Sequence, residues 1–427
     1  MFNKKINRIF YYIFILLAVV LFTEKFVIKT LIFKDTGYID FTSYYIAADA
    51  IKQKGSPYDS IDIKNNHIMN VVKPEDLKRM GIEFPVPEKY AYTYPPLLSL
   101  LLVPLTLFKY PTALILWNLL NLLFFGLAVY FTLRILAGRP LHLVTALTLL
   151  LFFGSMPSYE TFSLGQVNFL VYALCLLAFA LEERGHGKWS AFSLAFASVL
   201  KITPAVLLLY FLFFAKKKRY IFYFFGFAAG LLFLSGLCIG LPSLYNYFTY
   251  IFPKLAGSYL LDNNKALISL FSRVFLDNPM VTPLVISKTA ANMAAVLIAS
   301  CLITATCVLL RQAKKVLSYE SRVLAFSATL VFTLLLQTLL EIHHLIFAFL
   351  PLLALVYYSK FKPGIKAVIF IFLVMLLNTR GWNAMGHFGN GWWVIFLTAP
   401  QILGLILLFA LIYREIKNTK IENEPLL

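Results

Sequence analysis

The chain has 427 residues, of which 60% are hydrophobic and only 14% charged, and its mean hydropathy is +0.79. No water-soluble globule hides that much apolar side chain, so composition excludes a soluble domain and makes lipid the solvent. The formal net charge of +18 does not mark a nucleic-acid binder, because the basic residues fall largely in short clusters at the ends of apolar runs, where they act as topology signals.

The chain opens on Lys4, Lys5 and Arg8, followed by an apolar run with no small-residue cleavage site before Glu24 and Lys25, which reads as a retained first helix. With that basic start in the cytoplasm, residues 34–95 form a long extracytoplasmic loop. The next run, 94–108, is short and interrupted by Pro95, Pro96 and Pro104. A full crossing there would set the later basic clusters against one another, so it reads as a re-entrant or interfacial helix. Spans follow near 113–133, 142–156 and 166–182. Segment 189–215 has basic residues at both ends and Lys201 with Pro204 at its middle, the pattern of a broken helical hairpin. Then come a span near 220–241, a second extracytoplasmic loop at 242–283, and spans near 284–310, 322–340, 344–358, 366–379 and 391–413. The bilayer offers unpaired backbone groups no partner, so these runs are helices. The expected fold is an all-α polytopic membrane protein, one membrane domain over 1–427 with about ten crossings plus half-helices. Cys175, Cys238, Cys301 and Cys307 lie within apolar spans and imply no disulfide framework, and no fixed-period repeat is visible.

Polar residues beside apolar segments are costly and therefore functional candidates. On this topology Asp40, Asn263, Asn264, Arg273, Glu341, His343, His344, Asn378 and Arg380 gather on the outer side, with Gln166 and Asn168 at the top of a helix. Asp40 sits where the first helix leaves the membrane, and partial desolvation there suits a carboxylate to accept a proton. The ordinary alternative is a helix N-cap. Arg273, Arg380 and Lys201 are cations suited to phosphate, against the alternative of interfacial snorkelling. Glu341 with His343 and His344 suggests a metal, but adjacent histidines on a helix point about 100° apart and rarely share an ion, so no metal or other cofactor is expected. Trp382, Trp392 and Trp393 fit an aromatic belt as well as a sugar platform. The sequence holds no Gly-rich phosphate loop, HExxH or nucleophile elbow.

Taken in order, these residues resemble glycosyltransferase family 87, membrane mannosyltransferases of the GT-C superfamily. The resemblance is carried by Asp40, Tyr45, Ala47, Ala48, Gly55, Pro57 and Tyr58 in the first outer loop, then by Tyr94-Pro95-Pro96-Leu97 and Trp117-Asn118. Gly165-Gln166-Val167-Asn168 and Lys201-Ile202-Thr203-Pro204 follow. The family's Asn-Gln-Ser segment with its later arginine is matched at its ends by Asn264 and Arg273, with Lys265 and Ala266 in place of Gln-Ser. His343-His344 matches the late histidine pair, without the usual Ser-Pro and Trp before it.

The resemblance implies an inverting enzyme of the inner (plasma) membrane whose active site faces outside. Its donor would be a polyprenol-phosphate sugar carrying mannose, another hexose or a pentose, and its acceptor a hydroxyl of a lipid-linked or glycan substrate. Membrane lipids are the other expected partners, and no nucleic acid is. Asp40 would be the base, with Tyr45, Tyr94, Gln166, Asn168, Lys201, Asn264, Arg273, His343, His344 and Arg380 holding substrate. A phosphate leaving group needs little protonation, so one carboxylate and nearby cations suffice, unlike the paired carboxylates of hydrolases. A lipid or solute transporter is the first rival reading, opposed by the asymmetric long loop and the lack of repeats. A non-catalytic assembly subunit is the second, and it gives the gathered acid and cations no purpose. Asp49, followed by an exposed Lys52, offers itself as the control for Asp40.

Overall fold

A computed structural model describes residues 4–32, 38–58, 74–82, 92–136, 142–255, 264–278, 281–316, 318–379 and 399–418. Among them every regular element is helical and there is no strand. Helix α1 (Lys4–Phe22) runs into a π-helical stretch, Thr23–Ile32. Then come α2 (Ile39–Lys52), α3 (Pro74–Met80) and α4 (Pro96–Leu102), the last continued by a 3-10 turn, Val103–Leu107. The long α5 (Tyr110–Leu136), the shorter α6 (His142–Gly154) and α7 (Met156–Ser163), and α8 (Asn168–Glu183) follow. Next are α9 (Gly187–Leu200), a 3-10 turn Thr203–Leu207, α10 (Leu208–Phe214), α11 (Tyr220–Ile239), α12 (Leu241–Asn246) and α13 (Phe252–Leu255). The remainder is α14 (Leu267–Ser272), α15 (Lys288–Val316), α16 (Tyr319–Leu336), a 3-10 segment Ile342–Ala348 joined to α17 (Phe349–Tyr358), α18 (Pro363–Asn378) and α19 (Pro400–Asn418).

Five of these helices are long and apolar enough to cross a bilayer, at Tyr11–Ile28, Tyr110–Leu136, Tyr220–Ile239, Lys288–Val316 and Tyr319–Leu336, and five shorter apolar helices accompany them. The chain is therefore an all-α polytopic membrane protein. α8 is central, packed between α5 and α9, with α11 on the far side of α9 and α1 against α6. A second group forms around α16, which contacts α15, α17 and α19. Most of α16 is buried, whereas α11 and α15 show most of their apolar surface to the outside, where lipid must cover it.

Between α9 and α10 the helix stops at Lys201, whose backbone is extended at φ −150 and ψ 121. It resumes as a 3-10 turn with Pro204 near its start, where a missing N–H costs nothing. The two ends of this segment return to one level, because the Lys216 amide donates to Glu182 Oε1 at 2.7 Å and Lys216 Nζ to the Glu183 carbonyl at 2.9 Å. Arg322 grips the Glu183 carboxylate from α16 with its Nε and Nη2, at 2.9 to 3.1 Å. Segment 94–108 is α4 and its 3-10 turn, packed on α2 and α11.

Two sequence expectations need revision here. Asp49, offered as the control for Asp40, is 4% exposed and receives two bonds from Arg79 of α3, at 2.5 and 3.1 Å. It fastens α3 to α2 and so cannot serve as a neutral control. Asp40 is not a helix cap either. Tyr38 holds the cap position, in left-handed geometry at φ 40, and no side chain caps the helix.

Candidate active site

The floor of the site is the turn between α7 and α8. Gly165 takes φ +69 there, and Trp117 Nε1 donates to its carbonyl at 2.8 Å. No side chain fits at this position, since a Cβ would stand 2.6 Å from Phe41 Cβ. That close approach lets one carbonyl, Leu164, accept the amides of both Asp40 and Phe41, at 3.0 and 3.2 Å. α2 is thus docked end-on by its backbone, and Phe41 stacks on Trp117 at 5.5 Å to close the joint.

The neighbouring Gln166 orients the acid. Tyr44 and Tyr94 both donate their hydroxyls to Gln166 Oε1, at 3.0 and 3.1 Å. With the oxygen engaged, the amide NH2 is left for the Asp40 carboxyl, its hydrogen-bond partner. Tyr94 is itself held by the first outer loop, where Tyr58 donates to its carbonyl at 3.0 Å. Asp40 stands on α2, outside the spanning helices, and its carboxyl is pushed up to about 7 by burial first and by the Glu341 charge second, against the pull of Gln166 and Lys201. A carboxyl so raised loses its proton only near neutrality. Transfer that depends on it as a base rises with pH and levels off above about 7. Below that point the rate falls about tenfold per pH unit. A pH–rate profile of the reconstituted protein checks this, and a profile flat from pH 5 to 8, over that roughly 3-unit window, contradicts it.

Asn168, which opens α8, is fully buried and spends both ends of its amide. Its Oδ1 accepts from Lys201 Nζ at 2.8 Å, and its Nδ2 donates to the His343 carbonyl at 3.2 Å. Lys201 also lies 5.5 Å over the Tyr94 ring, and the charges acting on it are Asp40 and Glu341. The Gly-Gln-x-Asn motif therefore joins distant parts of the chain: its glycine seats α2, its glutamine takes the Tyr94 hydroxyl and faces Asp40, and its asparagine holds Lys201 and the His343 carbonyl.

The histidines follow an extended stretch after α16. Glu341 and His344 form a reciprocal cap, in which the Glu341 side chain accepts from the His344 amide and His344 Nδ1 accepts from the Glu341 amide at 3.1 Å. An accepting Nδ1 carries no proton, so the proton of a neutral His344 sits on Nε2. His343 is 1% exposed, and neither ring nitrogen has a hydrogen-bond partner among the described residues. The nearest acid, Glu341, is 3.7 Å from His343 Nε2, beyond a good hydrogen bond.

Asp40, Tyr94, Gln166, Lys201, Glu341, His343 and His344 all line one cavity of about 400 Å³. Much of the remaining wall is apolar, from Ile202, Val206, Phe252, Leu255, Leu336 and Leu339. Both histidines reach it. Other expected residues lie elsewhere. Tyr45 points away and donates to the Phe108 carbonyl at 2.7 Å, while its neighbour Tyr44 takes the inward position. Asn264 is a structural clip, its Oδ1 accepting from the Ala266 and Leu340 amides at 2.9 Å and its Nδ2 donating to Ser269 Oγ and the Thr338 carbonyl at 2.9 and 2.8 Å. Arg273, 2% exposed, donates to the Asn264 carbonyl at 3.0 Å and does not line the cavity. Arg380, Trp382, Trp392 and Trp393 lie outside the described residues. Sequence reasoning missed Tyr44 and also Thr333 and Gln337, which line the cavity from the end of α16. Gln337, a polar residue just past an apolar span, was the one readable signal among them.

An all-helical membrane bundle with an acid and an amine in one apolar-walled cavity is suited to chemistry at the membrane. The model of glycosyltransferase family 87 matches residues 92–340, more than half of the chain, and the chain belongs to that family. It is a membrane glycosyltransferase. The matched region contains Tyr94, Gln166, Asn168, Lys201, Asn264 and Arg273, while Asp40 and the two histidines fall outside it. No curated protein and no solved structure matches the chain.

Proposed function

We propose that the protein moves a sugar from a polyprenol-phosphate donor to an acceptor hydroxyl of a lipid-linked or glycan substrate, with Asp40 as general base. The observation that carries this reading is the placement of the Asp40 carboxyl and the Lys201 ammonium in one cavity with an otherwise largely apolar wall. Asp40 takes the proton of the acceptor hydroxyl, whose oxygen attacks the anomeric carbon from the face opposite the phosphate. The bond from that carbon to the phosphate oxygen breaks, the configuration inverts, and polyprenyl phosphate leaves. Lys201 neutralises the departing phosphate, and the His344 Nε2–H and the His343 ring are further contacts for it. The apolar wall is suited to the first isoprene units. Transfer assays of purified protein with a panel of radiolabelled polyprenol-phosphate sugars test the reading. One sugar is expected to move with inversion, whereas activity only with nucleotide sugars would defeat it.

In the same reading the cavity opens on the outer face of the inner membrane, because only that arrangement collects the basic clusters in the cytoplasm. Single cysteines at Ser60, in the first outer loop and outside the described residues, and at Lys315, at the end of α15, are expected to label from opposite sides. Labelling of both from one side would overturn the orientation.

A further inference from the structure

At the other end of α8 from Asn168, roughly 21 Å away along the helix, a second cavity of about 260 Å³ opens between the start of α9, the turn after α10 and the start of α11. Glu182 lines it and is 3% exposed. Its Oε1 accepts from the Lys216 amide, but its Oε2 has no hydrogen-bond partner among the described residues. A buried carboxylate oxygen in that condition calls for a donor. Residue 187 of α9, beside it, is glycine, and a Cβ there would stand 3.0 Å from Oε2.

Lys188, Lys216, Lys217, His186, Trp189 and Tyr223 are also among its lining, with Trp189 60% exposed. Beside it α11 exposes Phe222 and Phe225, surface that faces acyl chains in a membrane protein. The sequence of charges is specific. A simple anion would meet the Glu182 carboxylate, and a simple cation would have to pass the three lysines of the lining. A zwitterion with its ammonium inward and its phosphate outward satisfies both. The ammonium must also carry N–H groups, since Oε2 needs a hydrogen bond and not merely a nearby charge. The lipid-facing flank and the exposed tryptophan give the occupant acyl chains.

We propose that this cavity binds the headgroup of an ethanolamine phospholipid, the ammonium on Glu182 and the phosphate between Lys188 and Lys217. The test is native mass spectrometry of the full chain released from nanodiscs holding equal phosphatidylethanolamine, phosphatidylcholine and phosphatidylglycerol. Phosphatidylcholine carries the same phosphate and a cation without N–H, so it isolates the Glu182 contact. Ethanolamine lipid is expected to be retained about tenfold over choline lipid, the worth of one charge-assisted hydrogen bond. Glu182→Gln should bring that ratio close to one. Lys217→Ala, an exposed change that leaves the fold alone, should reduce retention of both lipids while keeping their ratio, and it serves if the buried variant does not fold. Equal retention of ethanolamine and choline lipids by the unaltered protein, or preference for phosphatidylglycerol, would overturn the assignment. So would displacement of the lipid by soluble phosphoethanolamine at matching concentration, which would make the occupant a free solute.

Discussion

Asp40→Asn is expected to bind donor as the unaltered protein does and to lose about 10² to 10⁴ in transfer rate, the contribution of a positioned general base. The amide keeps the shape of the carboxylate and its contact with Gln166 but has no basicity. Folding should be untouched, because the Asp40 backbone amide, not its side chain, docks α2 on Leu164. The capping alternative predicts full activity for asparagine, and the structure leaves it little support, since Tyr38 occupies the cap position. Asp277→Asn, at an exposed acid, replaces Asp49 as the control and should be silent. Donor binding measured beside single-turnover transfer separates the outcomes. An Asp40→Asn protein that transfers within a few-fold of normal would remove Asp40 from the mechanism.

Lys201→Met has the second large expected effect, a loss of about 10² to 10³ in transfer, as when one donor to a developing charge is removed. The substitution preserves length and apolar stem while deleting the ammonium. It also leaves Asn168 Oδ1 without its partner, at a stability cost of about 1 to 3 kcal/mol. A second readout distinguishes chemistry from mere destabilisation. Lys201 acts to lower the Asp40 pKa, so without it the carboxyl holds its proton to higher pH. The rising limb of the pH–rate profile should therefore move upward in Lys201→Met, whereas a structural defect alone lowers the whole curve. Transfer that survives with its pH profile unmoved would deny Lys201 any part in the site.

The broad architecture was readable because membrane helices announce themselves by length and apolarity. So was most of the cavity. Asp40, Tyr94, Gln166, Asn168, Lys201, His343 and His344 were singled out from order and chemistry, and the fold brings all of them to one place except that Asn168 stands behind Lys201 instead of lining the wall. What was not readable depended on register and on distant contacts. Tyr44 and Tyr45 are adjacent aromatics about 100° apart on α2, and only the docking of that helix decides which faces inward. Asn264 and Arg273 look like substrate ligands by residue type, but Asn264 binds the 338–340 stretch, which is remote in sequence, and Arg273 binds the Asn264 carbonyl. Asp49 offered itself as a control because its partner Arg79 lies 30 residues away.

The paired amides of Asp40 and Phe41 on a single carbonyl also bear on how such a chain can diverge. A peptide bond carries no side-chain identity, so Leu164 and Ile39 can drift without shifting the acid. The segment before Tyr38 can gain or lose residues for the same reason, the slack being taken up upstream of the anchor. An insertion between Asp40 and Tyr44 is a different matter. It would swing everything behind it by about 100°, part the acid from the Tyr44 hydroxyl that orients Gln166, and move Tyr44 into the outward place now held by Tyr45. Length variation in this part of the chain is thus expected to accumulate ahead of the anchor and to stop abruptly at it.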